Sequence, residues 1–236
     1  SEPVATLKMR QSGWAMAILD AIDASHDRFR DSVLATASEA LRVFDNSAAR
    51  ALASREPFPT EQFLTQNGTL YICIPSEQHD LFAPLVVGLI EDIMRTKFAR
   101  ADAGQPDHTL GVFLDELRRV APIHNLPGYL AEAGSHGVQI LGVLQDLSQA
   151  RERWGTHVAE GLLTLCRSKV LLPGILDKTL LENLSTLLGE DTWGTSTGTM
   201  TVRPKWSPHA LSSPPAGHAI HIDRSHAVTV RLNLAP

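Results

Sequence analysis

The stretch TLGVFLDELRRV, residues 109–120, decides the fold class of this 236-residue chain. Its apolar run from Leu110 to Leu114 is typical of a buried strand, and two carboxylates, Asp115 and Glu116, follow at once. A strand that is apolar on both faces predicts a sheet covered by helices on both sides. The two acids either mark the strand's exit into solvent or stand at the carboxyl end of a parallel strand, ready to hold a metal ion and a water molecule.

Downstream of residue 56, strand patterns alternate with amphipathic helix patterns, and this alternation predicts an α/β fold with a mostly parallel sheet. Asp177 and Gly189 are the predicted N-cap and C-cap of the last of these helices. The predicted strands are GTLYICIP (68–75), TLGVFL (109–114), GVQILGVL (137–144), SKVLLPG (168–174), HAIHID (218–223) and AVTVRL (227–232). The predicted helices lie near 82–94, 126–133, 147–154, 158–165 and 177–189.

Residues 1–56 carry only helical patterns. The segment FDNSAARALAS (44–54) restarts a helix, with Asn46 or Ser47 as the predicted N-cap. Two prolines in REPFP (55–59) then end the helical pattern, because proline bars helix and favours extended geometry in the residue before it. We therefore predict a boundary between an all-α segment, 1–56, and an α/β domain, 57–236.

Composition excludes several classes of protein. The net charge of −5 gives no surface-wide basic field for nucleic acid, although a local basic groove is compatible with it. Cys73 and Cys166 have no CxxC spacing, so neither a disulfide framework nor a redox motif is expected. The longest apolar run, LFAPLVVGLI, is about half of a membrane span, so we expect this chain by itself to be soluble.

Ligands of parallel sheets bind beyond the carboxyl ends of the strands. Gln145 follows the strand at 137–144, so it should lie beside Asp115 and Glu116 at one edge of the sheet. An apolar strand that ends in Asp-Glu fits the acidic half of a nucleotide hydrolase. There Asp115 would hold the water shell of Mg²⁺, Glu116 would polarise the attacking water, and Gln145 would sense the γ-phosphate or orient that water. The alternative is a solvated strand end without chemistry.

Three stretches together resemble the TraG/TraD-type coupling proteins of type IV secretion and bacterial conjugation. They are GTLYICIPSEQ, LGVFLDELRRVAPIHNLPGYLAEAGSHGVQILGVLQDLSQARERWG and CRSKVLLPGILDKTLLENLSTLLGE. The segment RDSVLATASEALRVFDNSAARALA resembles the end of the all-α domain that these proteins carry inserted in their motor, and RPKWSPHALSSPPAGHAIHI resembles their closing segment. The resemblance covers roughly residues 30–235.

The resemblance implies a membrane-anchored, hexameric ATPase of the FtsK/HerA group with a RecA-like motor, at the cytoplasmic face of the bacterial inner membrane. Such a motor uses ATP and Mg²⁺ to deliver relaxase-bound single-stranded DNA or protein substrates to a secretion channel. By resemblance, Asp115 and Glu116 match the Walker B pair, and Gln145 matches the glutamine of a conserved motor motif.

The chain departs from the family pattern in its phosphate-binding loop. None of its 16 glycines is followed by lysine, so the Walker A sequence G-x-x-x-x-G-K-[ST] is absent. The glycine cluster GTSTGTM (194–200) also lacks the lysine. Because the family carries this loop upstream of the all-α insertion, we expect a chain truncated before the P-loop and the membrane anchor, and inactive alone.

A second departure concerns a trans-acting arginine. Several members of the family carry arginine eleven residues before the glutamine, where this chain has Gly134, with His136 close by. The sequence does not rank the substitutes, which are Arg118, Arg119, Arg151 and Arg153.

Other interpretations of the sequence stay open. The segment HAIHIDRSH contains His218, His221 and His226, but strand alternation favours a solvated face, so no zinc site is expected. In one alternative, residues 1–56 dock a relaxase or a secretion substrate and the α/β part only supports them. In another, the chain belongs to an FtsK/HerA-type translocase unrelated to conjugation.

Overall fold

The computed structural model describes residues 13–105, 108–194 and 200–233. By its contacts the chain divides into two compact units, Ser1–Phe58 and Pro59–Pro236. No helix within these described ranges is both long enough and apolar enough to cross a lipid bilayer.

The first unit is helical throughout its described part. Asn46 is the N-cap of its third α-helix, because its side-chain oxygen accepts hydrogen bonds from the backbone N–H groups of Ala48 and Ala49 at 2.9 and 3.2 Å. Of the two predicted N-caps, Asn46 and Ser47, the structure uses Asn46. The second α-helix buries no residue, and its apolar Phe29 and Leu41 are exposed. The elements are α1 (Gly13–Asp23), α2 (Asp27–Leu41), a 3₁₀ turn (Arg42–Asp45) and α3 (Ser47–Ala53).

The second unit alternates helices and strands, as the sequence predicts. Asp177 caps its α9 helix by accepting from the backbone N–H of Leu180 at 2.9 Å, and Gly189 follows the helix end with a φ of +82°. The predicted N-cap is confirmed, whereas the C-cap is Leu188 and the predicted Gly189 lies one residue beyond it. The helices are α4 (Thr60–Thr65), α5 (His79–Asp102), α6 (Leu126–Glu132), α7 (Leu147–Trp154), α8 (Thr156–Leu165), α9 (Lys178–Leu187) and α10 (Pro208–Ser212), with a 3₁₀ turn at Ser76–Gln78. The strands are β1 (Leu110–Leu114), β2 (Val138–Gly142), β3 (Ser168–Leu171), β4 (Glu190–Gly194), β5 (Met200–Pro204), β6 (His218–Asp223) and β7 (His226–Arg231).

The strands form one parallel pair and two antiparallel groups. β1 and β2 are parallel, with Leu110 opposite Val138 and Leu114 opposite Gly142. β3, β6 and β7 form an antiparallel sheet in that order, and β4 and β5 form an antiparallel hairpin. The α/β fold is confirmed, and its parallel part comprises β1 and β2 in the described residues. β3 instead pairs with the tail strand β6, where Leu171 meets Ile220 in the core.

One predicted strand is wrong. Residues 68–75, GTLYICIP, form no strand and pair with no other strand in the described ranges. Tyr71 is 81% exposed and Cys73 is also exposed. Residues with high β-propensity favour extended backbone, but a strand also needs a neighbour that satisfies its peptide groups, and propensity says nothing about that neighbour. The β4–β5 hairpin was not predicted at all.

Two apolar clusters form the core of the second unit. One lies between α5 and the β1–β2 pair, and the other joins α7, α8 and α9 to β6. Leu144 and Trp154 pack against both clusters, and the Trp154 indole N–H donates to the carbonyl of Ile123 at 2.9 Å. The segment from the end of β2 through α7 is therefore anchored from both sides, which fixes the backbone that carries Gln145.

Candidate functional site

The carboxyl ends of β1 and β2 bring together the three side chains selected from the sequence. Asp115 and Glu116 directly follow β1, and Gln145 follows β2 after a short extension. The amide Nε2 of Gln145 donates to Oε1 of Glu116 at 2.8 Å. Oδ1 of Asp115 accepts from the backbone N–H of Glu116 at 3.1 Å. The parallel pairing of the two strands is what produces this proximity.

Glu116 has an uncommon backbone conformation. Its φ of +52° lies in the left-handed region, which costs a non-glycine residue about 1–2 kcal/mol. Its carbonyl accepts from the backbone N–H groups of Arg119 and Val120 at 2.9 and 3.0 Å, so a tight turn holds this conformation. Strained backbone persists where the surroundings fix it, and it concentrates at functional sites.

The turn into α7 begins at Asp146. Its side chain accepts from the backbone N–H of Ser148 at 2.6 Å, which makes Asp146 the N-cap of the helix. The hydrogen bonds from Ser148 favour the carboxylate and so lower the pKa of Asp146. Gln149, one turn into α7, makes two hydrogen bonds with Gln145 at 3.3 Å.

A polar cavity of about 740 Å³ opens beside Glu116 and Gln145. Its walls carry charges of both signs, so it has no strong bias towards anions or cations. The charged residues that line it, besides Glu116, are Asp80, Glu152, Arg118, Arg119 and Arg153.

The four candidate arginines differ in what holds them. Arg118 forms an ion pair with Glu152 at 2.8 Å, and Arg153 donates to the carbonyl of Pro122 at 2.8 Å. Arg151 lies away from the cavity and pairs with the N-cap carboxylate of α9 at 2.7 Å. Arg119 forms an ion pair with Asp80 at 3.8 Å, which is longer than the ion pairs of Arg118 and Arg151.

His136 stands at the amino end of β2, the opposite end from Gln145. Its Nδ1 lies 2.8 Å from the carbonyl oxygen of Glu132, and its Nε2 lies 3.1 Å from Oδ1 of Asp102. The ring stacks on Phe98 with centroids 4.2 Å apart. The hydrogen bond to the Glu132 carbonyl, and then Asp102, raise the pKa of His136. Its position does not make it a substitute for an arginine at the Glu116 edge.

Two of the histidines considered as zinc ligands, His218 and His221, contact other polar groups of the chain. Nε2 of His221 lies 2.8 Å from the hydroxyl of Ser168, and Nδ1 of His218 lies 2.9 Å from the carbonyl of Ala216. Within the described part of the chain, no group of three or more His, Cys, Asp or Glu side chains could hold a metal ion. Residues 195–199 of the glycine cluster GTSTGTM lie outside the described residues.

The residues at the β1–β2 edge fit a Mg²⁺ ion of the kind that stays partly hydrated. Mg²⁺ usually takes one or two protein carboxylates and completes its shell with waters and substrate phosphates. Asp115 is exposed at the strand end, and Glu116 and Gln145 stand next to it. A closed all-protein cage is not needed for such an ion.

Part of the chain matches a known protein family. Residues 109–214, which include Asp115, Glu116 and Gln145, match the sequence model of a family described as the TraM recognition site of TraD and TraG. No curated protein is significantly similar in sequence.

Solved structures of the bacterial conjugative coupling protein TrwB have a similar fold. The trigonal form of TrwBdeltaN70 with sulphate gives a TM-score of 0.72 at 18% identity, over 90% of this chain and 51% of that chain. TrwB in complex with ADP and Mg²⁺ gives 0.70 at 19% identity, with the same coverage of 90% and 51%. A GTP-analogue complex of TrwB gives 0.56 at 20% identity, over 68% and 39%. The chain thus spans about half the length of the similar structures at most.

These similarities define the fold first: it is an α/β fold similar to that of the coupling protein TrwB, and the α/β class is the one that the sequence predicts. The family match over residues 109–214, together with the fold similarity to TrwB, then supports the resemblance of this chain to conjugative coupling proteins of the TraG/TraD type. The resemblance predicted from the sequence is confirmed.

Sequence reasoning missed polar residues of the site, among them Gln149 and Asp80. A signal for Gln149 was present, because Asp146 and Gln149 have the spacing of a capping box, in which the third helical residue reaches back over the helix start. Asp80 carried no such signal, since its place beside Arg119 depends on how α5 packs.

Proposed function

We propose that this chain supplies the acidic half of a Mg²⁺-dependent ATP-hydrolysing site in a conjugative coupling protein. The observation that carries the proposal is the 2.8 Å hydrogen bond between Gln145 and Glu116 at the carboxyl ends of two parallel strands. Both residues lie in the family-matched region, and TrwB with ADP and Mg²⁺ has a similar fold. Asp-Glu at the carboxyl end of a parallel strand is the kind of carboxylate pair that such hydrolysis uses.

Each side chain has a separate role in this proposal. Asp115, which is exposed, orients the waters around the metal ion. Glu116 accepts hydrogen bonds at its carboxylate and is the group to which an attacking water gives its proton. Gln145 donates through Nε2 and so links the nucleotide to the strand ends. Bound Mg²⁺ would neutralise charge on the phosphate oxygens.

The wider function follows from the family. In this proposal the whole protein is a membrane-anchored hexamer at the cytoplasmic face of the inner membrane. It delivers relaxase-bound single-stranded DNA or protein substrates to a type IV secretion channel. Because the 236 residues contain no G-x-x-x-x-G-K-[ST] loop, the phosphate cradle must be supplied from outside them, and this chain alone should show negligible ATP turnover.

Manganese binding tests the acidic half without requiring turnover. Mn²⁺ replaces Mg²⁺ at oxygen sites and broadens nearby NMR signals. With ATP present, Mn²⁺ should broaden the backbone amides around residues 114–117 and 145, and Asp115→Asn should remove this effect. Asp191→Asn, at an exposed carboxylate on β4, is the matched control. Broadening centred elsewhere, or unchanged by Asp115→Asn, would refute the assigned site.

A second candidate function is docking of a relaxosome protein. The matched family is described as the TraM recognition site, and the match falls on residues 109–214, outside the helical segment 1–56. This location favours docking on the α/β part and favours conjugation over an unrelated translocase. Titrating TraM into the isotope-labelled chain should shift signals within 109–214, equally in Glu116→Gln. Shifts confined to 13–56 would instead support docking by the helical segment.

A further inference from the structure

We propose that Gln149 is a positioning residue that fixes which end of the Gln145 amide faces Glu116. The inference deepens the proposed function and rests on it for its catalytic meaning. Gln149 touches neither Glu116 nor a reacting atom through any hydrogen bond of the structure, and it acts through Gln145 alone.

The orientation follows from groups that can only donate or only accept. The backbone N–H of Gln145 can only donate, so the side-chain atom of Gln149 that faces it at 3.3 Å must be Oε1. The other end of that amide, Nε2, then donates to Oε1 of Gln145 at 3.3 Å. Gln145 must therefore turn its own Nε2 outward, and there it meets the carboxylate of Glu116, which can only accept, at 2.8 Å.

The start of α7 places Gln149 where it can do this. Asp146 is the N-cap, and the backbone N–H of Gln149 donates to the Asp146 carbonyl at 3.2 Å to close the first turn. In a capping box the third helical residue reaches back to the N–H of the N-cap. Here Gln149 reaches one residue further, to the N–H of Gln145. Leu147 and Ala150 are buried and fix the helix that carries it.

This arrangement determines what Gln145 can offer to a ligand. Its Oε1 is occupied by Gln149, so a group that approaches from the Glu116 side meets only the donor end of the amide. Phosphate oxygens at neutral pH accept hydrogen bonds much as the Glu116 carboxylate does. Gln149 thus keeps Gln145 as a donor whether its partner is Glu116 or a phosphate.

The matched variants are Gln149→Glu and Gln149→Ala. Glutamate keeps an acceptor for the Gln145 N–H, and its charge suits the first turn of a helix, but it cannot donate to Oε1 of Gln145. Alanine removes both hydrogen bonds. We therefore expect Gln149→Glu to retain the thermal midpoint of the wild type. In both variants the orientation of the Gln145 amide should no longer be fixed.

The readout is the side-chain NH₂ resonance of Gln145, assigned by its loss in Gln145→Leu. In the wild-type chain the hydrogen bond to the Glu116 carboxylate should shift this resonance, and Glu116→Ala, which removes the acceptor, should abolish the shift. We expect Gln149→Glu to abolish it too while the fold remains intact. A wild-type shift in Gln149→Glu overturns the inference. The inference is also overturned if Gln149→Glu lowers the thermal midpoint as far as Gln149→Ala does. That result would mean that Gln149 only caps the helix and so stabilises the fold.

This readout is independent of ATP turnover. If Mn²⁺ binding fails to depend on Asp115, the proposed function falls, while the NH₂ shift still decides what orients Gln145. If the proposed function and the positioning role of Gln149 both hold, Gln149→Glu should lower kcat and leave KM for ATP unchanged in a nucleotide-hydrolysing assembly of the protein. A change in KM alone would contradict a positioning role.

Discussion

Arg151 on α7 and Asp177 at the start of α9 form an ion pair of 2.7 Å, and the same carboxylate caps α9. Oδ2 of Asp177 accepts from Arg151, and Oδ1 accepts from the backbone N–H of Leu180. The Asp177 side chain is only 7% exposed. One carboxylate thus joins the helix that follows Gln145 to the neighbouring helix of the core.

Replacing this carboxylate should be costly. Asp177→Ala removes the cap of α9 and leaves the half-buried Arg151 guanidinium without its partner, so we expect a loss of roughly 2–4 kcal/mol in the free energy of unfolding. Urea denaturation measures it. Lys178→Ala, which removes an exposed ion pair with Glu182 on the same helix, should cost at most about 0.5 kcal/mol. Equal losses in the two variants would contradict a structural role for Asp177.

The left-handed backbone at Glu116 gives a second prediction. Glu116→Ala and Glu116→Gly both remove the carboxylate, but glycine adopts a φ of +52° without steric cost. The glycine variant should therefore be more stable than the alanine variant by about 1 kcal/mol, although both lose the contact with Gln145. Denaturation midpoints of the two variants decide this. An alanine variant as stable as the glycine variant would mean that the turn relaxes when the carboxylate is removed.

Phe113 gives a third prediction, on solubility. It is 78% exposed on β1, opposite Leu141 of β2, which is 54% exposed, so the pair forms an apolar patch on one face of the strands. Phe113→Thr keeps a strand-forming residue and should change the free energy of unfolding by no more than about 0.5 kcal/mol. It should reduce self-association, measured by sedimentation velocity over a range of concentrations. Unchanged self-association would show that the patch does not drive it.

Much of the site could be predicted because its geometry follows from local patterns. The apolar run that ends at Leu114 and the strand before Gln145 suffice to place Glu116 beside Gln145, since parallel strands share a carboxyl edge. The start of α9 was predictable for a similar reason, because Asp177 acts within one helical turn.

What could not be predicted depends on partners distant in the sequence. Residues 68–75 have strand composition but pair with no strand in the described ranges, and β3 pairs with the tail strand β6 rather than with β2. The role of Gln149 depends on amide orientation, which only the assembled hydrogen bonds fix. The sequence shows that residue 149 is glutamine, but it does not show whether the side-chain amide binds solvent or orients a neighbouring side chain.

The last prediction concerns pH. His136 has an acceptor at each ring nitrogen, the Glu132 carbonyl at 2.8 Å and the Asp102 carboxylate at 3.1 Å, so the protonated ring satisfies both. Its pKa is raised in the folded chain, first by the hydrogen bond to Glu132 and also by Asp102. The stabilisation is therefore fully present below the pKa of the unfolded chain and is lost as pH rises through the higher folded value. The window therefore begins near the ordinary pKa of histidine, about 6.5, and extends above it.

We therefore expect the free energy of unfolding of the wild-type chain to fall across this window, with a smaller fall in His136→Gln. Glutamine can still reach one acceptor but carries no titratable proton. Urea denaturation at several pH values measures the difference, and His226→Gln on β7 controls for the loss of one histidine. Because His136 joins α5 to the turn before β2, protection of the β2 amides from hydrogen exchange should decline in parallel. A His136→Gln profile that matches the wild type would place the pH dependence elsewhere.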